Sequence, residues 1–308
     1  MIFAKSSVCL YPNRIRQTLL IYKEIQMKTG NHLPHFGLGF LSILLILAIF
    51  FNACQGDPVE VPDEDVFTKT KREQLGKLLM NDILANNEFL PKIHPYDTSV
   101  YWYVQTLFTQ ATNVMQLDKQ SPSDNRWTGG WEIYIIKNDD LKHAFMLPGG
   151  DLFITTGMLK NFEKEYELYY LLTFEAILMH EGYLLDVLKQ EYNSLTLINL
   201  IEGRATASGI TISDVADDFP DLKFEKDEVK EADGKTVSSV CGTSILSPVG
   251  MINSLLKPEF QASKWMATRK SHNDRANTIS EFAEYHSGDC GGNLGNGNYQ
   301  RYVLNVLD

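Results

Sequence analysis

The first regular pattern along the chain is an alternation of apolar and charged positions with helical spacing. Between Lys69 and Asn86, leucine and isoleucine recur every three or four positions, while charged residues take the other side. A second run with the same spacing extends from Tyr101 to Leu117. Both runs predict amphipathic helices that pack one face against a core.

Short runs rich in β-branched and aromatic residues follow, and they predict strands. The strands are expected at Trp131–Lys137, Ala144–Leu147 and Leu152–Thr156. The last two are joined by Pro148-Gly149-Gly150, and two glycines in a row suit a tight turn in any protein.

A long helix is predicted next, from about Lys164 to Gln190. It is apolar on nearly every side between Leu168 and Met179, which predicts a buried helix. Ser194–Gly209 and the second half of Trp265–Tyr285 predict further helices. With the three strands, these helices indicate an α+β fold that is mainly helical, with a small sheet packed on the buried helix.

An uncharged apolar run lies near the start of the chain, from Phe36 to Ala53, with Lys28 before it and Cys54 directly after it. A basic flank, an apolar run and a small residue before the cleavage point are typical of a secretory signal. Because the next residue is cysteine, the segment resembles a bacterial lipoprotein signal, in which that cysteine is lipidated. Two alternatives stay open: an uncleaved anchor, since the run approaches the roughly 20 residues that span a bilayer, and a soluble secreted form.

These features predict three parts of the chain. Residues 1–53 are a signal segment, of which 1–26 could be untranslated because Met27 offers a second start. Residues 54–66 are a lipidated tether containing acids and prolines, and residues 67–308 are the folded domain. The expected location is the cell envelope. There the lipid at Cys54 would hold the protein to a membrane, with the domain facing the periplasm or the outside.

Charge and cysteine spacing narrow the possible partners. The formal net charge of −11 argues against binding nucleic acid, which requires a basic face. The cysteines include no C-x-x-C pair, which argues against a cysteine-built zinc site. If Cys54 is lipidated and Cys9 is removed, Cys241 and Cys290 remain in an oxidising space and could form a disulfide.

The residues that carry candidate chemistry are His180 and Glu181, adjacent within the apolar helix. They form the first half of H-E-x-x-H, in which histidines at i and i+4 hold Zn²⁺ and the glutamate acts as general base on the metal-bound water. The second half is missing, because Leu184 stands four residues after His180. His180 is therefore interpreted either as a buried structural histidine or as a ligand of an altered zinc site.

Several segments together resemble the zinc metallopeptidases of peptidase family M forty-eight, which include HtpX-like and BepA-like envelope proteases. In chain order they are DLKHAFMLPGG (residues 140–150), LFITTGML (residues 152–159), His180-Glu181, Glu231-Ala232-Asp233, and Ser271-His272-Asn273 with Arg275. The resemblance covers about residues 71–285 and implies a zincin-like metallopeptidase domain.

The resemblance assigns roles to particular residues. His180 matches the first metal ligand, Glu181 the general base, and Asp233 an outer residue that orients His180. The strand before the glycine turn, Ala144, Phe145, Met146 and Leu147, matches the edge that lies along an extended substrate.

Two of the three ligand positions are degenerate. Leu184 replaces the second histidine, and Val229 stands where the family has a glutamate, four residues before Asp233. Glu228 and Glu231 flank that position and are candidate substitutes, as are His143 and His272, although His272 is more simply interpreted as a structural or surface residue.

Two functions from different classes follow. The first is a zinc-dependent metalloendopeptidase of the cell envelope that degrades or controls envelope proteins. The alternative is a pseudoprotease that binds extended or unfolded polypeptide as a chaperone or scaffold, with no cofactor. A structural lipoprotein with no peptide binding is a third option.

Overall fold

The chain divides into two compact units, Met1–Glu64 and Asp65–Asp308. The computed structural model describes residues 66–92, 100–115, 131–242, 249–258, 272–286 and 296–307, all in the second unit. The predicted signal segment, Cys54 and nearly all of the tether therefore lie outside the described residues. No helix within the described ranges is long and apolar enough to cross a membrane.

The two amphipathic runs form the helices predicted for them. Helix α1 spans Lys69–Asn86, and helix α2 spans Val100–Val114. Helix α1 begins after Thr68, whose hydroxyl accepts a hydrogen bond from a backbone N–H of the first turn. Leu75, Leu79 and Ile83 are buried, and Leu78 is half-buried. The predicted end of the second helix, Leu117, lies beyond the described residues.

The three predicted strands form one mixed sheet. Strands β1 (Glu132–Ile136), β2 (Ala144–Met146) and β3 (Asp151–Thr155) lie in the order β1-β3-β2. Strand β1 pairs with β3 in parallel, and β2 pairs with β3 in antiparallel orientation. Gly149 and Gly150 between β2 and β3 have φ angles of 136° and 91°, a conformation that favours glycine. The double glycine is therefore a requirement of the turn.

The prediction of one helix from Lys164 to Gln190 is wrong, because the chain forms two. After a short helix α3 (Thr156–Asn161), helix α4 spans Glu165–Glu181 and helix α5 spans Tyr183–Tyr192. Gly182 separates them with a φ of 89°, the left-handed conformation that commonly ends a helix.

The predicted helix Ser194–Gly209 is correct only in its first half. Helix α6 spans Ser194–Ile201, after which Gly203 and Gly209 adopt positive φ angles and the chain continues without regular structure. The remaining described helices are α7 (Ile212–Asp218), a 3₁₀ turn (Phe219–Asp221), α8 (Lys226–Gly242), α9 (Val249–Leu255), α10 (His272–Tyr285), α11 (Asn296–Tyr299), a π-helical turn (Gln300–Leu304) and α12 (Asn305–Leu307).

Helix α4 is the centre of the core. Every residue from Glu167 to His180 is buried, as the apolar pattern predicted. The helix packs against α2, α8, α9 and strand β2. The described unit is thus mainly helical with a small three-stranded sheet, which confirms the predicted α+β class. This packing places the end of α4 next to α8 on one side and the β2 edge on the other.

Candidate functional site

His180 and Glu181 are the last two residues of helix α4. The backbone N–H of Gly182 caps the helix by bonding to the carbonyl of Met179, and a Cβ at Gly182 would contact nothing within 4 Å. The left-handed backbone, and not lack of space, therefore requires glycine there. Residue 184 consequently belongs to a separate helix. The helix face on which two histidine ligands would stand at i and i+4 does not continue beyond Glu181.

The two degenerate ligand positions lie in the hydrophobic core. Leu184 on α5 is only 4 % exposed, and Val229 on α8 is fully buried. Leucine and valine carry no atom that can bind a metal ion. Both positions are thus occupied by apolar packing.

Lys235 of helix α8 joins the predicted general base to a neighbouring acid. Its Nζ lies 2.8 Å from Oε1 of Glu181 and 2.8 Å from Oε1 of Glu231, one turn earlier on α8. Burial alone would lower the pKa of Lys235, but its bonds to the two carboxylates outweigh burial and raise the pKa. Lys235 therefore remains a cation between two anions, and Glu181 is held in an ion pair.

Glu231 and Glu228, the predicted substitutes, already have partners of their own. The bonds of Glu231 to Lys235 and then to Tyr183 lower its pKa. Glu228 accepts a 3.0 Å bond from the backbone N–H of Glu225, at the start of α8, and burial raises its pKa. Each carboxylate thus contributes to the local structure of α8.

The zinc ion that the resemblance implies does not fit these residues as they are arranged. Leu184 and Val229 offer no donor, and Glu181 and Glu231 share an ammonium group. Across the described ranges, no three His, Cys, Asp or Glu side chains are grouped so that they could hold a metal ion. The donor set for a zinc site with three protein ligands is therefore incomplete.

Asp233, predicted to orient His180, bonds to other side chains. Its carboxylate accepts bonds from Nη2 and Nε of Arg275 at 2.8 and 3.1 Å, and from the hydroxyl of Tyr170 at 3.1 Å. The guanidinium also lies 4.4 Å from the ring centroid of Phe174. All three bonded residues are fully buried. This network joins α4, α8 and α10 behind the predicted site and brings together two segments of the family resemblance.

An open cleft of about 820 Å³ lies between α4, α8 and α10. His180, Glu181, Glu231 and Lys235 line it, together with apolar side chains such as that of Phe282. We call this space the polar cleft. It is where the predicted catalytic pair meets solvent.

Ser238 and His286 form a hydrogen-bonded pair in the polar cleft that the sequence did not suggest. Oγ of Ser238 lies 3.1 Å from Nε2 of His286 and 3.0 Å from the carbonyl oxygen of Gly234, one helical turn earlier. A serine hydroxyl has a single proton. The helix carbonyl and Nε2 of His286 compete for that proton, whereas a nucleophile with its general base directs the proton to the base.

Strand β2, the predicted substrate-binding edge, is the outermost strand on one side of the sheet. Bonds join Thr155 N–H to the His143 carbonyl and Leu147 N–H to the Asp151 carbonyl. Bonding alternates along an antiparallel pair, so Phe145 also directs its backbone towards β3. Ala144 and Met146 therefore direct their N–H and C=O groups away from β3, and on that side the Ala144 carbonyl oxygen lies 2.9 Å from Nδ1 of His143.

A row of rings crosses the sheet, with two stacked pairs within it and a pair tilted by 42° just past β2. Ring centroids lie 5.1 Å apart for Tyr134 and Phe153, 5.3 Å apart for Phe153 and Phe145, and 5.5 Å apart for Phe145 and Phe219. The first three residues are register partners on β1, β3 and β2. Phe219 belongs to no strand, since it begins a 3₁₀ turn (Phe219–Asp221) after α7.

Residues 219–224, which we call the covering segment, fill the groove beside β2. Phe219, Leu222 and Phe224 are buried and line a residual cavity of about 20 Å³ with His143, Ala144, Phe145 and Met146. A cavity of this size holds about one water molecule. The predicted edge is thus in contact with the protein's own chain.

Two histidines and a cysteine complete the set of predicted residues. Nδ1 of His143 lies 2.9 Å from the carbonyl oxygen of Ala144. His272 is the first residue of α10, and its side chain lies outside the described part. Cys241 is buried and disulfide-bonded. Its expected partner, Cys290, lies outside the described residues.

Sequence patterns missed Lys235, which pairs with Glu181, and Phe219, whose ring centroid lies 5.5 Å from that of Phe145. Lys235 follows Glu231 at i+4, a spacing that indicates an ion pair on a helix, but no local signal links it to Glu181. Phe219 lies among acids in a loop and has no local signal at all.

A comparison with protein-family models returns no match for this chain, and neither does a comparison with curated proteins. The likeness to family M forty-eight therefore rests on the motif segments themselves.

Proposed function

We propose that this protein is a non-catalytic relative of the family M forty-eight zinc metallopeptidases, which binds extended polypeptide along strand β2. In this proposal the domain has a zincin-like fold and is anchored to a membrane of the cell envelope through lipidated Cys54. It acts as a chaperone or scaffold without hydrolysing the polypeptide.

The observation that carries the non-catalytic assignment is the ion pair between Glu181 and Lys235, at 2.8 Å. A general base must accept a proton from the reacting water. The ammonium group of Lys235 binds an oxygen of the carboxylate that would do so, and Glu231 adds a second anion to the same cation. The buried aliphatic residues at positions 184 and 229 support the assignment, because they supply no metal ligands.

The polypeptide-binding part rests on the geometry of β2. A strand at the edge of a sheet can pair with an added extended peptide through its outward backbone groups. The register gives those groups to Ala144 and Met146, and an added peptide would share the Ala144 carbonyl with Nδ1 of His143, which lies 2.9 Å from it. The aromatic row supplies a ring, that of Phe145, against which a side chain of the added peptide can pack.

The test of the catalytic assignment uses the full-length chain purified in detergent. We expect far less than one zinc per chain by elemental analysis, and no hydrolysis of unfolded casein above that of Glu181→Gln. Glu281→Gln, which alters another acid of the polar cleft, is the matched control. Zinc near one per chain, with casein hydrolysis lost only in Glu181→Gln, would overturn the assignment.

Strand pairing is tested with peptides methylated on backbone nitrogens. Successive N–H groups of an extended peptide point to opposite sides. Methylation of the N–H groups that point towards β2 should therefore abolish binding. Methylation of the alternate N–H groups, which point away from β2, should leave binding unchanged. Equal effects of both sets would contradict pairing along β2.

The metalloendopeptidase is kept as the second candidate because of one observation. His180, Glu181 and Glu231 line the same solvent-filled cleft. The zinc measurement distinguishes the two functions directly.

A further inference from the structure

The side chain of Phe219 stands where the next strand of the sheet would place one. The ring spacings of 5.1, 5.3 and 5.5 Å along Tyr134, Phe153, Phe145 and Phe219 are nearly constant. The third pair matches the first two in distance but is tilted, with an interplanar angle of 42° against 15° and 7°. The first two steps join true strand partners, and the third joins β2 to a residue outside the sheet.

The rest of the covering segment occupies the other side of the β2 edge. Leu222 has the extended backbone angles φ −59° and ψ 136°. Leu222 and Phe224 are buried, and Lys223 between them is exposed, an alternation typical of an extended chain. Leu222 and Phe224 line the residual cavity with Leu178 of α4. The segment thus presents a ring to one face of the sheet and apolar side chains to the face that packs on α4.

Both ends of the covering segment are held by side-chain contacts. At its start, the hydroxyl of Tyr192 donates to the carboxylate of Asp218, the last residue of α7. At its end, Glu228 accepts the backbone N–H of Glu225 as α8 begins. The segment is therefore attached to the rest of the domain on both sides of the groove.

We propose that the groove beside β2 selects extended peptides with an aromatic residue opposite Phe145 and apolar residues on either side of it, and that Phe219 is the internal occupant such a peptide displaces. This inference rests on the proposed polypeptide-binding function and adds to it the chemical class of the ligand. Runs of this composition are buried in folded proteins and become exposed when they unfold. The affinity of the protein for a peptide is then reduced by the fraction of time that Phe219 fills the groove.

The experiment measures peptide binding by fluorescence anisotropy, with the full-length chain in lipid nanodiscs. One labelled peptide has a central phenylalanine flanked by valines, and the other has serine in its place. We expect the wild-type chain to bind the phenylalanine peptide about 3- to 10-fold more tightly, in line with the contribution of an aromatic pair. Phe145→Ala should remove this preference while retaining weak binding of both peptides.

Phe219→Leu should bind both peptides about 3-fold more tightly. Leucine still fills part of the groove, but it has no ring to pack on Phe145 and is displaced more easily. Phe219→Ala is the second variant, and it should raise the affinity for both peptides further than Phe219→Leu does. Thermal unfolding of each variant shows whether it is folded. The matched control is Phe282→Leu, which changes a half-buried ring in the polar cleft and should leave both affinities unchanged.

Displacement has its own readout at Lys223, which lies exposed within the covering segment. Trypsin cleavage after Lys223, followed by mass spectrometry, should accelerate when the phenylalanine peptide is bound. Equal wild-type affinities for the two peptides, or unchanged affinity in Phe219→Leu and Phe219→Ala, would overturn the inference while leaving polypeptide binding intact. Failure of every variant to bind either peptide would instead remove the proposed function, and this inference with it.

Discussion

The polar cleft and the groove beside β2 lie on two sides of the same buried helix, and each is closed by a different kind of group. At the cleft, the ammonium group of Lys235 binds the predicted general base. At the groove, the ring of Phe219 packs on the predicted peptide-binding edge. In both places a side chain of the protein takes a position where the family resemblance would put an external group.

The difference between the two lies in how the closing group is held. Lys235 is partly exposed and held by charge, with two carboxylates at 2.8 Å. Phe219 is buried and held by apolar contact in a groove with almost no free volume. An ion pair near solvent weakens with salt, whereas apolar packing does not. The cleft is thus closed electrostatically, and the groove is closed by packing.

The largest effect is expected behind the polar cleft, at Arg275. Arg275→Met leaves the carboxylate of Asp233 buried without its cation, and we expect the free energy of unfolding to fall by about 3–5 kcal/mol. Urea denaturation measures the loss. Arg204→Met, at an exposed ion pair, is the control and should stay within about 0.5 kcal/mol of wild type. Adding Asp233→Leu to Arg275→Met should recover part of the stability, and no recovery would mean that the ion pair is not the cause.

An intermediate effect on stability is expected at Lys235, and its salt dependence distinguishes closure by charge from closure by packing. Lys235→Met should lower the free energy of unfolding by about 0.5–1 kcal/mol, since the pair is partly exposed. The loss should shrink at high salt, and Lys235→Arg should restore stability. The loss caused by Phe219→Leu should not depend on salt. Urea denaturation at low and high salt provides both comparisons. Identical salt responses of Lys235→Met and Phe219→Leu would contradict electrostatic closure of the cleft.

A pH-dependent effect concerns the sheet, through Asp151 at the start of β3. Burial, and next the neighbouring Glu132 on β1, raise the pKa of Asp151 from 3.8 to about 7, while Lys92 partly offsets the shift. The fold therefore favours the protonated carboxyl. Between about pH 4 and pH 7 the unfolded chain has lost this proton and the folded chain keeps it, so this contribution to stability falls as pH rises.

Asp151→Asn should reduce the fall in stability between about pH 4 and pH 7. Thermal midpoints of wild type and Asp151→Asn, measured at about pH 4.5 and pH 7.5, should differ in their pH response. Asp139→Asn changes a carboxyl whose pKa is lowered by bonds to Thr156 and Lys160, and it should not produce the same reduction. A wild-type decline that persists unchanged in Asp151→Asn would assign the effect to another group.

Much of the fold could be predicted because its signals are local. The spacing of Leu75, Leu79 and Ile83 gave the position of α1, and the double glycine gave the turn between β2 and β3. Gly182 also carried a local signal, because glycine often ends a helix. The apolar pattern continued past it and suggested a single helix, which was the main error in the predicted fold.

The candidate site was predictable only in its residues and not in their partners. Glu181 and Asp233 stood out in sequence because they belong to segments that resemble a protease family. Neither segment indicated that Lys235 would bind the first carboxylate or that Arg275 would bind the second. Such pairs join helices that are distant in sequence, and their geometry depends on how those helices pack around α4.

The sequence alone determined that His180 and Glu181 would end up together on a buried helix, and that two of the expected ligand positions hold aliphatic side chains. Periodicity and residue chemistry are sufficient for both conclusions. Only the tertiary structure decided that Lys235 would neutralise Glu181 and that Phe219 would extend the aromatic row beyond β2. Both contacts depend on long-range packing, because local propensity does not specify which side chain from another part of the chain will fill a cleft or a groove.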